Sequence, residues 1–94
     1  MTMVSDLTND ELMDVVVRPA IDRLFRDGEL DSVELEERPD GHVLVHVRAG
    51  EDEIGIYLRT PGAEVTVDQQ AELVAGELQD FIAESSFGWG QLRT

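Results

Sequence analysis

The sequence contains no cysteine and no lysine, and each absence excludes a class of function. Without cysteine, the chain has no disulfide framework, thiol nucleophile, cysteine-ligated zinc or cysteine-held iron-sulfur cluster. All seven basic residues are arginine, and they stand against 21 acidic residues, so the formal net charge is -14. Because phosphate neutralisation requires a basic surface, this balance argues against direct nucleic-acid binding.

Long hydrophobic runs are missing as well. The apolar stretches, such as Val15-Val16-Val17, are only a few residues long, and the first residues carry no basic group. A membrane span needs about 20 consecutive apolar residues, and a secretion signal needs a basic region before its apolar one. We therefore expect a cytoplasmic protein that does not bind membranes.

The acidity has three interpretations, which the sequence leaves open. The first is a soluble protein from a GC-rich genome, in which arginine codons replace lysine codons. The second is a salt-adapted source, and the third is an acidic surface that binds a basic partner. With 94 residues, of which 41% are hydrophobic, the chain has the size and composition of one folded domain. We expect a single domain over residues 1–94, with residues 1–6 disordered.

The first element is predicted to be a helix that begins at Thr8 and ends at Gly28. Thr8 and Glu11 form the sequence pattern of a capping box. The residues that follow place an aliphatic stripe on one side of the helix. Pro19 lies on the solvent side and lacks the N–H that would bond the carbonyl of Val15, so we expect a kink at this point.

The middle of the chain has the residue alternation of three antiparallel strands. Aliphatic residues occupy every second position of three short segments, which turns at Pro39-Asp40-Gly41 and Gly50-Glu51 separate. One face of the predicted sheet is therefore aliphatic and the other mainly polar. This pattern indicates an antiparallel meander with helices packed on one side only.

The last third of the chain is predicted to form a turn and a second helix. Thr60-Pro61-Gly62-Ala63 suits a type II turn, and Glu64-Val65 is a candidate for a short fourth strand. Thr66-Val67-Asp68-Gln69 resembles a second capping box. The helix that it begins is expected to run to Glu84 or Ser85.

Together these elements predict an α+β fold. We expect a two-layer sandwich of order α-β-β-β-(β)-α, in which an antiparallel meander sheet carries both helices on its aliphatic face. Residues 87–94 follow as a C-terminal aromatic tail, in which glycines flank Trp89. The predicted core comprises Leu12, Val16, Val17, Ile21, Leu24, Val33, Leu35, Val43, Val45, Val47, Ile54, Ile56, Leu58, Val74, Leu78, Phe81 and Ile82.

The two turns also determine which residues face each other on the polar side of the sheet. Both hairpin registers are chosen so that the aliphatic face stays continuous. The predicted pairs are Glu34 with His46, Glu36 with Leu44, Arg38 with His42, Leu44 with Tyr57, His46 with Gly55, and His42 with Arg59.

The polar face contains residue types that could carry chemistry, but not in a specific arrangement. His42, His46 and Glu34 are all metal-ligand types, yet the two histidines should lie about 13 Å apart along the strand. Pairs such as Glu34 with His46, or Glu36 with Tyr57, could act as acid and base. No nucleophile motif or phosphate-binding loop accompanies them. We therefore predict no catalytic residue, no cofactor and no metal.

The apolar residues of the polar face and the tail are the more informative candidates. Leu44 and Tyr57 form an apolar centre on the polar face, and Phe87 and Trp89 add aromatic rings in the tail. Tyrosine and tryptophan are favoured anchors at protein interfaces. The tail either folds back onto its own domain or anchors a partner. We predict these four as partner-binding residues of a non-catalytic protein–protein interaction module, an adaptor or a small chaperone, which binds another protein or forms a homodimer.

Two other functions are consistent with the sequence. The net charge of -14 would suit an acidic nucleic-acid mimic that inhibits a DNA-binding protein, although its carboxylates are scattered rather than arranged in phosphate-like rows. A small enzyme that uses Glu34, His46 and Tyr57 would need a pocket on the polar sheet face.

Overall fold

The computed structural model describes residues 2–26 and 28–84, which form helices packed on one face of a short sheet. The strands form one antiparallel sheet of order β1-β2-β3. The elements are a 3-10 turn (Val4–Asp6), α1 (Asn9–Leu12), a π-helical segment (Met13–Val17), α2 (Arg18–Leu24), β1 (Ser32–Glu37), β2 (Val43–Ala49), β3 (Asp52–Arg59) and α3 (Val67–Glu84). None of the helices in this part of the chain is long and apolar enough to cross a membrane.

The α+β class is confirmed, and the described residues form a sheet of three strands, without the optional fourth one. The segment predicted as a fourth strand pairs with the N-terminal residues instead. The amide of Val4 donates to the carbonyl of Val65, and the amide of Val67 donates to the carbonyl of Thr2, both at 2.9 Å. These bonds use the backbone groups that a fourth strand would have offered to the sheet.

Residues 2–6, which belong to the segment predicted to be disordered, make contacts with the rest of the domain in the structure. Val4 is only 6% exposed and belongs to the hydrophobic core. The guanidinium of Arg59 donates to the backbone carbonyls of Val4 and Leu7. Apolar burial and these hydrogen bonds fix residues 2–6, because loss of either would expose core surface or leave a charged donor unpaired.

The helix containing Pro19 is continuous, since α1, the π-helical segment and α2 follow one another without a gap. We call them together the N-terminal helix. Just before the proline, the N–H of Arg18 bonds the carbonyl of Met13, five residues back. This wider turn accommodates a residue that has no N–H and a bulky ring. The distortion predicted at Pro19 therefore takes the form of a π-helical turn, and the helix ends at Leu24 rather than at Gly28.

Both predicted capping boxes are confirmed. Thr8 Oγ1 accepts from the amide of Glu11 at 3.2 Å, and the Glu11 carboxylate accepts from the amide of Thr8 at 3.0 Å. Thr66 and Gln69 exchange the equivalent bonds, each 3.1 Å long. The two helix starts are therefore fixed by local sequence.

The hydrophobic core lies between the sheet and the two helices, with α3 packed against α2, the π-helical segment and β3. Most of the predicted core residues are buried. Five of them are only half-buried, at the margin of the core: Ile21, Val33, Leu35, Ile54 and Phe81. Several of these marginal residues border a cleft described below.

The predicted strand register is confirmed along both hairpins except at one end. A β-bulge follows the pair of Leu44 with Tyr57, so that Arg59 faces Val43 and not, as predicted, His42. One extra residue in a strand transfers the next side chain to the opposite face. Arg59 therefore lies on the helix side of the sheet instead of the polar side.

Candidate interaction surfaces

The side of the sheet opposite to the helices is called here the open face. It combines strand residues that alternate with the core residues of β1, β2 and β3, together with the turn after β1. Its side chains are Glu34, Glu36, Arg38, His42, Leu44, His46, Arg48, Glu53 and Tyr57, with Gly55 among them.

Tyr57 and Leu44 lie side by side at the centre of the open face, as predicted. Tyr57 is 46% exposed, whereas Leu44 is only 5% exposed. The imidazole of His42 meets the Tyr57 ring edge-on at 5.4 Å between centroids, and the Arg38 guanidinium lies 5.9 Å from the ring centre. Leu44 therefore forms the floor of this patch, and Tyr57 is the group that it presents to solvent.

His46 is held between two carboxylates. Its Nε2 donates to Glu36 Oε1 at 2.5 Å, and its Nδ1 lies 3.8 Å from Glu53 Oε1. We predicted a pair with Glu34, which does face His46 across the strands, but the side chain bonds diagonally to Glu36. Gly55 lies against the imidazole, since a Cβ at that position would be in van der Waals contact with Nδ1, at 3.4 Å.

Two carboxylates, Glu36 on the open face and Asp40 in the turn after β1, are stabilised in their ionised form. The hydrogen bond from His46, and then that from Arg38 at 3.1 Å, lower the pKa of Glu36 below its usual value. The backbone amide of His42 lowers the pKa of Asp40, aided by the imidazole. The Nδ1 atom of His42 lies 2.9 Å from Asp40 Oδ1, but the geometry is not that of a hydrogen bond. A general base works best with a pKa near the operating pH, and these shifts move the pKa values of both carboxyls further below neutral pH.

The described residues offer little coordination chemistry. Among residues 2–26 and 28–84, no three histidine or carboxylate side chains lie close enough together to hold a metal ion. What the open face provides is a set of paired charges around one exposed aromatic ring. Such an arrangement can make contacts with a surface more readily than it can move protons.

A second feature, which the sequence did not reveal, is an apolar cleft between the N-terminal helix and β1. Its volume is about 320 Å³. The lining residues are Met13, Val17, Ile21, Leu30 and Val33, with Arg18 and Asp22 at the mouth. An adjoining cleft of about 240 Å³ shares Ile21 and Leu30 and extends towards Phe25. Periodicity assigned most of these residues to the core, and only the packing shows that the core is open at this side.

The cleft runs beside the outer edge of β1. In the described part of the chain β1 pairs with β2 alone, so its other edge has no strand partner. The amide of Arg38 donates to the carbonyl of His42 at 2.9 Å, so these two residues form a hydrogen-bonded pair between β1 and β2. Hydrogen-bonded and non-hydrogen-bonded pairs alternate in antiparallel sheets. The backbone groups of Val33 and Leu35 therefore point outwards, next to the cleft.

On the opposite edge of the sheet, a side chain bonds one backbone carbonyl of β3. Gln70 of α3 is 6% exposed, and its Nε2 donates to the backbone carbonyl of Tyr57 at 2.7 Å. This bond satisfies an acceptor of the edge strand β3 and ties α3 to the sheet. The two edges thus differ, because a described side chain occupies the β3 edge but not the β1 edge.

The other two predicted partner-binding residues, Phe87 and Trp89, lie outside the described residues. The position of the end of α3, which precedes them in the sequence, is nevertheless informative. The last residue of α3, Glu84, lines a shallow cleft together with Asp52 and Glu53. Since Glu53 also borders His46, α3 ends at the rim of the open face.

Comparison of the chain with protein-family models, with curated proteins and with solved structures found no match.

Proposed function

We propose that this protein is a non-catalytic protein–protein interaction module, an adaptor or a chaperone-like protein, that binds through the open face. The supporting observation is Tyr57, whose ring is 46% exposed above the buried Leu44 and within a rim of paired charges. An aromatic side chain at the centre of a polar rim is the usual composition of a binding hot spot.

The distribution of charge favours a second copy of the chain as the partner on this face. The exposed acids of α3 have no basic residue beside them in that helix: Asp68, Glu72, Glu77, Asp80 and Glu84. The open face, in contrast, carries Arg38, Arg48 and both histidines among its carboxylates. With a net charge of -14, two copies repel each other over most of their surface. They can approach most easily where the carboxylates are already compensated, and a two-fold dimer needs such a self-complementary patch.

The size of the open face indicates that this dimer is weak without further contacts. Three strands about 4.8 Å apart, each with six to eight residues, give a face of roughly 15 by 20 Å. Two such faces bury roughly 600 Å², which is below the roughly 1,000 Å² that specific interfaces need. We propose that Phe87 and Trp89 enlarge the interface. In the sequence they follow Glu84, at the end of α3, by three and five positions.

The substitution Tyr57→Ala tests this assignment by sedimentation equilibrium over a concentration series. We expect the dimer to weaken at least about tenfold, as for the loss of a central aromatic anchor. The matched control is Leu73→Ala on α3, because Leu73 is 49% exposed and equally apolar. Leu44 is unsuitable for this test, since its substitution would disturb packing.

Three results would contradict the proposal. A wild-type protein that remains monomeric at all concentrations would exclude the second copy as partner. Equal effects of Tyr57→Ala and Leu73→Ala would exclude the open face as the interface. If a chain truncated after Ser86 dimerises as tightly as the full chain, Phe87 and Trp89 take no part in it.

A further inference from the structure

The outer edge of β1 and the cleft beside it form a second surface, called here the β1-edge site. We propose that this site binds an extended segment of a partner protein in which apolar and basic residues alternate. The inference rests on the proposed function in one respect only, in that it names the kind of partner that an interaction module would receive. It shares Glu34 with the open face, but its backbone groups and its cleft belong to the β1-edge site alone, so it can fail separately.

The geometry of β1 suits the addition of a strand. The outward backbone groups of Val33 and Leu35 offer donors and acceptors to an extended peptide, which is how strand addition gains affinity. Side chains of an added strand alternate between the two faces of the sheet. Every second side chain would lie on the helix side, where the cleft of about 320 Å³ is lined by Met13, Ile21 and Leu30. Apolar side chains at these positions would close the open side of the core.

The remaining side chains of the added strand would lie on the same side as Glu34. This carboxylate is exposed and forms no ion pair with any described residue. Opposite charges on neighbouring strands stabilise a sheet, and like charges destabilise it. A lysine or arginine beside Glu34 is therefore favoured, and the long-range field of a chain with net charge -14 attracts the same basic segment.

The charges also argue against the two occupants that this chain could supply. A second copy paired edge to edge would bring the Glu34 and Glu36 side chains of both copies together, which is unfavourable. The chain's own residues 85–94 contain a single basic residue, Arg93, and do not alternate basic with apolar side chains. A basic segment of another protein fits the site better than either.

The first experiment is an NMR titration of the full-length, 15N-labelled protein with synthetic peptides. The probe is an eight-residue peptide that alternates valine and lysine, with blocked ends. A peptide of the same composition with its valines and lysines in two blocks tests the alternation, and one that alternates valine and glutamate tests the charge. We expect the alternating valine–lysine peptide alone to shift the amide signals of Val33 and Leu35 and to slow their hydrogen exchange.

A charge reversal then tests the role of the carboxylate. We expect Glu34→Lys to weaken the valine–lysine peptide about tenfold, because a cross-strand attraction becomes a repulsion. The same variant should gain binding of the valine–glutamate peptide. The matched control, Glu77→Lys, changes the net charge equally on the exposed side of α3 and should alter binding by no more than about twofold.

Several outcomes would overturn the proposal. These are no binding at millimolar peptide, equal binding of the block peptide, signal changes centred on Tyr57 instead of Val33, or equal weakening by Glu34→Lys and Glu77→Lys. The titration is repeated in the Tyr57→Ala variant. Unchanged peptide binding there supports the β1-edge site whether or not the open face forms a dimer, so the two proposals are judged separately.

Discussion

Replacement of Arg59 with methionine tests whether one side chain holds the N-terminal segment in place. The guanidinium donates to the carbonyl of Val4 at 3.2 Å, to the carbonyl of Leu7, and to Asn9 Oδ1 at 3.3 Å. Hydrogen bonds from a charged donor contribute about 1.5–3 kcal/mol each when buried. Because Arg59 is half-buried and the bond to Asn9 is long, we count about 1 kcal/mol for each carbonyl. Methionine keeps the apolar stem, so the expected loss is about 2 kcal/mol.

The loss should be visible in two measurements. Urea unfolding followed by far-ultraviolet circular dichroism should show a midpoint lowered by about 1–2 M, given a slope of about 1–1.5 kcal/mol/M for a chain of this size. Hydrogen exchange should show faster exchange of the Val4 amide, which bonds Val65 in the native protein. That amide reports on the N-terminal segment alone.

The control is Arg48→Met, which removes the same charge from the same sheet. Arg48 is 61% exposed at its side chain, and its Nη2 lies 3.7 Å from Glu53. Exposed pairs of this kind contribute about 0–1 kcal/mol. If Arg59→Met costs no more than Arg48→Met and the Val4 amide stays protected, the burial of Val4 alone holds the segment and the reasoning is refuted.

Two further predictions concern the sheet. Gln70→Leu should cost about 1–2 kcal/mol in urea unfolding, because the carbonyl of Tyr57 loses its donor, and an unchanged midpoint would show that water replaces the amide. Since the hydrogen bond from His46 lowers the pKa of Glu36 from its usual 4.5, ionised Glu36 contributes stability that is present above that value and is lost as pH falls through the lowered pKa. The stability difference between wild type and Glu36→Gln should therefore narrow from about pH 6 to pH 3, and an equal narrowing for Glu34→Gln would contradict this cause.

Local signals made the strand pairing predictable. The turn at Pro39-Asp40-Gly41 and the two-residue loop at Gly50-Glu51 each fix a hairpin, and only one register then keeps the aliphatic residues on a common face. The capping boxes are equally local, because donor and acceptor are three residues apart. These features need no knowledge of the rest of the chain.

Features that depend on distant contacts were not predictable. The alternation of apolar and polar residues along β3 does not indicate the bulge that moves Arg59 to the helix side of the sheet. The burial of Val4 depends on Val65, far along the chain. Gln70 carried a weak signal, since it lies on the helix stripe that Val67 and Val74 share, where a polar residue needs a buried partner.

The opening of the core between the N-terminal helix and β1 could not be predicted from the sequence either. The pattern shows which residues are apolar, but not how far the N-terminal helix lies from β1. Val33 and Ile21 satisfy the core pattern and are nevertheless only half-buried beside the cleft. The cleft was therefore missed, while the exposed Tyr57 was found because it interrupts a polar face.

The two proposed surfaces are compatible, since the β1-edge site uses the outer strand edge and the cleft and takes only Glu34 from the open face. Face-to-face packing around Tyr57 leaves both β1 edges of a dimer free, so a dimer would present two sites for basic segments and could bind a partner that carries two of them more tightly than a monomer. Charge determines this division of roles. A chain of net charge -14 can meet itself most easily where most carboxylates are compensated, and screening by salt favours that contact. The carboxylate of Glu34, at the β1 edge of the open face, has no such partner and attracts a basic segment, and screening weakens that attraction.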